Sequence, residues 1–111
     1  MAKFFFRYKG TEYNLNVIVC KTIFQKMRGL MFRKNSKPLL FLFSKPVFEP
    51  IHSFFCVPFI AIWFLGDKII GVKYVKPWKV YILPKKNFDK LLEIPFNDEN
   101  FRYILGMDRK I

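Results

Sequence analysis

Acidic residues and cysteines are scarce in this 111-residue chain, and each shortage limits what the protein can be. Eight Asp and Glu stand against twenty Lys and Arg, which gives a net charge of +12. A charge this far from zero keeps a protein soluble and attracts polyanions, but it does not specify a fold. The two cysteines, Cys20 and Cys56, form no CxxC pair and are too few for a disulfide framework. Zinc and thioredoxin-like chemistry therefore lack support, and reduced thiols in the cytoplasm are expected.

Long hydrophobic runs are also missing. The longest charge-free apolar run covers 54–65 and contains Pro58, whereas a membrane-spanning helix needs about 20 apolar residues. The three-Phe run near the start is shorter than the roughly 7–15 apolar residues of a signal peptide. The sequence thus predicts neither a transmembrane segment nor a secretory leader. Its length fits a single domain, 1–111.

Aromatic residues are abundant, with 15 Phe, 5 Tyr and 2 Trp in a chain that is 52% hydrophobic. Disordered chains are poor in aromatics, so this composition predicts a folded core. The charges are unevenly spread, because the stretch 38–66 holds only Lys45 and Glu49. An apolar interior from the middle of the chain and a basic shell from both flanks are expected.

Proline residues divide the chain into segments of strand length. Alternation of Phe4, Phe6 and Tyr8, and then of Leu15, Val17 and Val19, around Lys9-Gly10-Thr11 predicts a β-hairpin. Gly66-Asp67 has the composition of a second hairpin turn. Further strands are predicted at 39–43, 51–55, 59–65, 68–76, 78–83 and 91–94.

One segment changes period and predicts a helix at about 22–31. Thr22 and Gln25 match a capping box, and Ile23, Met27, Leu30 and Met31 fall on one helical face. A final helical turn capped by Asp98 is expected to end near Gly106. Seven or eight short strands with one clear helix after the first hairpin predict a mainly β fold, a small β-sandwich or jelly-roll-like barrel.

Five blocks of the sequence resemble domain-of-unknown-function family 192, also called uncharacterised protein family 0127. The first is TIFQKMRGLMFR at 22–33, with its GLM-x-R string; LLFLF at 39–43, the segment 51–65, the Lys-Pro-Trp-like junction 76–78 and the Leu-Glu-Ile-Pro-like strand 92–95 follow in order. The resemblance covers about 13–107 and implies a small β-sandwich or jelly-roll-like barrel with one helix. It implies no activity, since none is established for the family.

The sequence departs from the family pattern at two places. Ile60 and Ala61 stand where family members often carry Asp after the proline of the central segment, and Lys26 stands where an arginine is usual. The missing Asp argues against carboxylate chemistry in that segment.

No catalytic residue, metal site or cofactor is predicted. His52 and Cys56 invite a base–nucleophile pair, but four residues on a strand span about 13 Å and direct proton transfer needs about 3 Å. An ordinary strand histidine and a buried cysteine are therefore expected unless the chain bends sharply. The late acidic residues are expected to form a solvated face near neighbouring lysines; they are Asp89, Glu93, Asp98, Glu99 and Asp108.

Candidate ligand-binding residues lie in two basic segments. Tyr74, Trp78 and Tyr81 interleave with Lys73, Lys76 and Lys79, a pattern typical of base-stacking rings in a basic groove, although core packing is the alternative use of such rings. Arg28 and Arg33 are candidate anion-binding residues, because arginine clamps carboxylate and phosphate groups. The lysine content also fits a heat-adapted or A/T-rich-genome source.

The sequence leaves the function unknown and supports three hypotheses. The first is a basic cytoplasmic binding module for an anionic ligand or acidic partner, with RNA as one candidate. The second is an interaction or scaffold protein at an acidic partner or a membrane surface. The third is an enzyme acting on a small anionic substrate through Arg28 or Arg33, which a pocket joining His52 to one of these arginines would favour.

Overall fold

The computed structural model describes residues 2–79 and 81–107, with only the backbone of Ile23, Phe24 and Met27. Half of the chain is strand, arranged as a curled half-barrel, and the mainly β expectation is confirmed. The elements in chain order are β1 Ala2–Tyr8, β2 Thr11–Cys20, α1 Ile23–Arg28, β3 Leu39–Val47, β4 Phe59–Leu65, β5 Lys68–Val75, β6 Phe88–Pro95 and α2 Glu99–Met107. Neither helix is long and apolar enough to cross a membrane.

The six strands form one sheet in the order β1-β2-β3-β6-β4-β5. Every neighbouring pair is antiparallel except β2 and β3, which run parallel with Ile18 opposite Leu39. Parallel strands need a crossover connection, and α1 lies in that connection. The helix is thereby placed across one face of the sheet.

Both predicted hairpins are confirmed. β1 and β2 pair from Tyr8 opposite Thr11 onward, and their two-residue turn has positive φ at Lys9 (50°) and Gly10 (81°), which suits the twist of the strands. β4 and β5 are joined through Gly66 and Asp67, with Leu65 opposite Lys68. The turn residues act locally, so both hairpins follow from the sequence.

β4 is an inner strand, between β6 and the edge strand β5, and it is buried on both faces. Ile60, Ile62 and Phe64 pack on the face that α2 covers, while Phe59 and Trp63 pack on the face that carries α1. Covering both faces explains the uninterrupted apolar sequence of this strand. Full burial of one such side chain contributes about 1.5–3 kcal/mol.

α1 is confirmed with the predicted cap but is shorter than 22–31. Gln25 N donates to Thr22 Oγ1 at 3.1 Å, and Thr22 N donates to Gln25 Oε1 at 3.1 Å. Gly29, with φ of 51°, ends the helix, so Leu30 and Met31 lie in the following turns. The side chains of Ile23 and Met27, the other members of the expected face, lie outside the described residues.

The final helix, α2, starts as predicted beside Asp98, whose Oδ1 accepts from Asn100 N at 2.9 Å. Its buried face consists of Phe101 and Ile104. These two side chains close one side of the sheet, which leaves the opposite side to α1 and the loops.

The prediction of strands at 51–55 and 78–83 is wrong. A single bridge joins Ile51 and Ile82, and Val80 lies outside the described residues. The fully buried Ser53 explains the interruption, because its Oγ donates to Lys76 O at 2.6 Å and accepts from Lys79 N at 2.7 Å. These bonds hold the two segments in turns instead of a ladder. The described chain therefore has six named strands, not seven or eight.

Candidate functional site

A cleft of about 530 Å³ opens on the face of the sheet that carries α1. Its volume lies in the usual range of ligand pockets, roughly 300–1,000 Å³. The end of α1, the strands β3 and β6, and the segment 49–56 surround it. Its apolar walls include Leu30, Phe41, Phe43, Ile51, Phe88 and Leu91. We call it the Glu93 cleft, after the carboxyl group among its lining residues.

Glu93 lies on β6 in the centre of the sheet, opposite Leu39 on one side and Ala61 on the other. It is only 4% exposed, and no hydrogen-bond or ion-pair partner is found for it within residues 2–79 and 81–107. Burial raises the pKa of this carboxyl to about 8, because the charged form loses its hydration. At neutral pH the group is therefore mostly a neutral acid that can donate a hydrogen bond.

Gly29 determines how closely the end of α1 approaches this carboxyl. A Cβ atom at Gly29 would lie 3.4 Å from Glu93 Oε1 and 3.5 Å from the Phe41 ring. The missing side chain, together with the positive φ, allows the chain to turn directly over Glu93. The carboxyl thus remains reachable from the cleft.

Two cations from α1 lie at the cleft. Lys26 is half-buried, with Nζ 4.0 Å from the centroid of the Phe43 ring, and Arg28 is exposed. Arg33 lies next to them, since its Nε donates to Gly29 O at 3.1 Å. Glu49 is the acidic residue that lines the cleft besides Glu93. The cleft therefore combines apolar walls, a buried acid and basic groups.

The charges of this region converge on Cys20, which lies on β2 beside the cleft. Burial raises the pKa of the Cys20 thiol, and Glu93 raises it further, whereas Arg33 and Lys26 lower it. Glu93 and the two cations therefore act on this thiol with opposite signs.

His52 and Cys56 also line the cleft. The expected straight strand is wrong here, because a turn at Phe54 and Phe55 brings both side chains to the same cavity. His52 Nδ1 accepts from Phe54 N at 3.1 Å, which places the ring proton on Nε2. Burial, and then the charge of Glu93, raise the pKa of the Cys56 thiol to about 12. Cys56 therefore stays a neutral thiol and is a poor nucleophile.

The structure separates the predicted basic residues into distinct places. Arg28 lines the cleft and Arg33 lies beside it. Lys76 and Lys79 are exposed on either side of Trp78, and their backbones are joined through Ser53. Lys73 is exposed on β5.

The predicted stacking residues are likewise divided. Trp78 is 58% exposed and contacts Phe55, with ring centroids 4.7 Å apart, and Tyr81 is 66% exposed. Tyr74 instead packs against Phe101 at 5.9 Å, on the face that α2 covers. Tyr74 is thus part of the packing around the core and does not share a surface with Trp78.

Glu93 is the site residue that sequence reasoning missed, and its assignment to a solvated acidic face was wrong. The sequence does indicate that Glu93 is buried, because it is a single acid inside the apolar strand Leu91-Leu92-Glu93-Ile94-Pro95. An acid flanked by core residues on a central strand is buried whenever both faces of the sheet are covered. Across the described chain, no group of three or more His, Cys, Asp and Glu lies close enough to hold a metal ion.

Comparison with known sequences finds two relatives of similar identity. A UPF0127 protein of Thermococcus sibiricus is 29% identical over 92 residues, which cover 78% of this chain and 59% of the relative. A UPF0127 protein of Pyrococcus furiosus is 28% identical over 91 residues, covering 78% of each chain. This chain thus spans less than two thirds of the Thermococcus protein. No family model matches the chain.

Two solved structures have a similar fold. A candidate transcription regulator from Sinorhizobium meliloti superposes with a TM-score of 0.75 at 18% identity, covering 92% of this chain and 82% of that one. A protein of unknown function from Novosphingobium aromaticivorans gives a TM-score of 0.69 at 18% identity, covering 94% and 76%. Similarity at this level of identity establishes the fold alone.

Proposed function

We propose that this chain, which is similar to the UPF0127 proteins of two heat-adapted archaea, binds a small organic acid in the Glu93 cleft. One observation supports the proposal most directly. Glu93 is 4% exposed and lines a cavity of about 530 Å³, without a hydrogen-bond partner in the described parts of the chain. Because the cleft reaches this carboxyl, a ligand in the cleft can accept the hydrogen bond that the neutral acid donates.

The chemistry of the lining selects the ligand class. Three phenylalanine side chains, Phe41, Phe43 and Phe88, favour an apolar or aromatic body. Lys26 and Arg28 favour a negative head group. Neutral Glu93 donates to a carboxylate, and hydrogen bonds to charged acceptors are the strong ones. An aryl monocarboxylate meets all three conditions.

Three probes with one aromatic body and different head groups test this assignment. We expect calorimetric titration at pH 7 to rank phenylacetate above phenylacetamide, and phenylacetamide above phenethylamine. Affinity for phenylacetate should fall as pH rises through about 8, because ionised Glu93 then repels the carboxylate. Equal affinities for the three probes, or a preference for the amine, would contradict the proposal.

Variants locate the binding. Lys26→Ala should weaken phenylacetate binding about tenfold, the equivalent of about 1.4 kcal/mol, whereas the matched control Lys68→Ala, at the start of β5, should leave it unchanged. Glu93→Gln retains an N–H donor, so it should still bind phenylacetate and lose the decline above pH 8. An unchanged decline in Glu93→Gln would assign the pH dependence to another group and remove Glu93 from the site.

An enzyme is the second candidate function, because His52, Arg28 and Glu93 line one cleft. This juxtaposition supplies an imidazole Nε2–H, a guanidinium and a buried acid around a shared volume. Hydrolysis of 4-nitrophenyl acetate and 4-nitrophenyl phosphate tests it. Turnover that His52→Ala abolishes would support an enzyme, and the absence of turnover, or turnover that survives the substitution, would exclude this constellation as the catalyst.

We also propose that the chain acts as one domain in the cytoplasm. The support is its two free thiols, Cys20 and Cys56, and one sheet that takes in all six strands. A tagged protein recovered in the membrane or extracellular fraction would contradict the location.

A further inference from the structure

Three exposed aromatic side chains form a second surface beside the Glu93 cleft, and we call it the ring surface. Phe32 and Phe55 are stacked, with centroids 4.6 Å apart and an interplanar angle of 22°. Trp78 meets Phe55 edge-on at 4.7 Å and 67°. Phe32, Phe55 and Trp78 are 66%, 50% and 58% exposed. Large apolar groups exposed together on a small protein mark an interaction site more often than scattered ones do.

The backbone beneath the ring surface is strained at each of these residues. φ is 62° at Phe32, 56° at Phe55 and 66° at Trp78, and Lys9 is the remaining non-glycine residue with positive φ in the described chain. Bulky residues rarely adopt this conformation. Strain of this kind persists where surrounding structure enforces it, and it concentrates at functional sites.

Hydrogen bonds fix the three strained positions. Phe32 N donates to Phe55 O at 2.8 Å, and Trp78 N donates to Ser53 O at 2.9 Å. The buried hydroxyl of Ser53 donates to Lys76 O at 2.6 Å and accepts from Lys79 N at 2.7 Å. The rings are therefore held in place before any partner arrives, which lowers the entropic cost of binding.

Basic residues adjoin the ring residues along the chain in two of the segments that build the ring surface. Arg28 and Arg33 flank the segment of Phe32, and Lys76 and Lys79 flank Trp78, all outside the core. The segments that build the surface, 28–34, 53–56 and 76–79, contain no Asp or Glu. An aromatic surface with this border is complementary to a partner that has flat rings and negative charges.

We infer that the ring surface binds single-stranded nucleic acid, with unpaired bases stacked on Trp78, Phe55 and Phe32 and phosphates near the bordering cations. Base–aromatic stacking and a basic groove are the two components of single-strand binding. A duplex buries the faces of its bases and offers only its phosphates. The three rings are locked against one another, and flat, rigid rings suit bases better than lipid chains. This inference does not depend on the ligand of the Glu93 cleft.

The test measures fluorescence anisotropy of a fluorescein-labelled U12 RNA titrated with the full chain. Trp78→Ala and Phe55→Ala should each weaken binding roughly 5- to 150-fold, the range for loss of one stacking ring. The matched control is Tyr103→Ala on α2, which removes another ring that is 66% exposed and should leave affinity unchanged. Because Ala at positive φ is itself strained, Trp78→Asn serves as a second variant whose residue tolerates that conformation.

Charge is separated from stacking by two double variants. Lys76→Ala with Lys79→Ala, and Lys3→Ala with Lys68→Ala, each lower the net charge from +12 to +10. The first should weaken U12 binding and make it less dependent on salt. For each phosphate that is no longer neutralised, the slope of log affinity against log salt concentration should become shallower by about 0.7. The second double variant should change neither the affinity nor this slope.

Three outcomes would overturn the inference. One is equal binding of U12 and of a duplex of the same length, which indicates phosphate attraction alone. Another is equal loss of affinity in Trp78→Ala and Tyr103→Ala. The third combines two results: the chain does not bind U12, and vesicles of phosphatidylserine and phosphatidylcholine shift its tryptophan emission to the blue. If Trp78→Asn lacks this shift, the ring surface binds a membrane instead.

Discussion

Glu93 carries its carboxyl into the interior of the sheet, between Leu39 of β3 and Ala61 of β4. Burial reduces the hydration of the charged form there, and the pKa of the group rises from 4.5 to about 8. Between these two pH values the unfolded chain releases the proton while the folded chain keeps it. Stability is therefore highest, as far as this group is concerned, below pH 4.5, and it falls as pH rises toward 8.

Glu93→Gln should remove this dependence. Relative to the variant, we expect the free energy of unfolding of the wild-type chain to fall by on the order of a few kcal/mol between pH 4.5 and 8. Urea titrations at several pH values measure the difference, and effects of the other titrating groups cancel between the two proteins. Glu12→Gln, which replaces an exposed glutamate paired with Arg7, should follow the wild type. Parallel curves for Glu93→Gln and the wild type would show that Glu93 is not desolvated in solution.

At the scale of elements, α1 connects two parallel strands and forms one side of the Glu93 cleft. It is only six residues long, and helices this short are unstable in isolation. Its stability comes from the reciprocal cap of Thr22 and Gln25 and from the packing of Leu30 just beyond its end. Lys26, Arg28 and Gly29 depend on this helix for their positions at the cleft.

Thr22→Ala should lower the free energy of unfolding by about 1 kcal/mol, because the amide of Gln25 loses its acceptor. Thr22→Ser keeps the hydroxyl and should be close to the wild type in urea titrations. We also expect phenylacetate to bind Thr22→Ala more weakly than Thr22→Ser, since the displaced helix carries Lys26. Equal free energies of unfolding for Thr22→Ala and Thr22→Ser would show that the cap does not stabilise the folded chain.

At the scale of the whole molecule, charge repulsion opposes compactness. A net charge of +12 is confined to a body with principal extents of 33 × 29 × 28 Å. Arg7 pairs with Glu12 at the surface, where such pairs contribute little, and Lys90 pairs with Asp89 in a half-buried position. The net charge of +12 is balanced by ions from the solution.

Added salt should stabilise the fold. The Debye length falls from about 30 Å at 0.01 M to about 8 Å at 0.15 M, so charges on opposite sides of the molecule interact only at the lower concentration. We expect the melting temperature to rise by a few degrees between 0.01 and 0.15 M NaCl, where about 1 kcal/mol corresponds to roughly 4 °C or more for a chain of this size.

A variant with fewer net charges is the control for this effect. Lys3→Glu with Lys68→Glu changes two exposed residues and lowers the net charge from +12 to +8. Its melting temperature should rise less with salt than that of the wild type. An equal rise in both proteins would assign the effect to specific anion binding or to the hydrophobic core.

Several features could be predicted from the sequence because they depend on residues only a few positions apart. The Thr22–Gln25 cap, the turns at Lys9-Gly10 and Gly66-Asp67, and the strand at 59–65 are of this kind. Turn conformation, capping and side-chain alternation are set by local geometry. The resemblance to the uncharacterised family 0127 could also be recognised from the sequence, since it depends only on the order of residues along the chain.

The cleft and the ring surface were decided by tertiary contacts. Ser53 can hold Lys76 and Lys79 only after the chain has folded, and this contact turned two expected strands into loops and forced Trp78 into positive φ. Glu93 is buried because β3 and β4 lie on either side of it and Gly29 turns above it. Desolvation and backbone strain are imposed by neighbours distant in sequence, so residue type and periodicity alone do not reveal them.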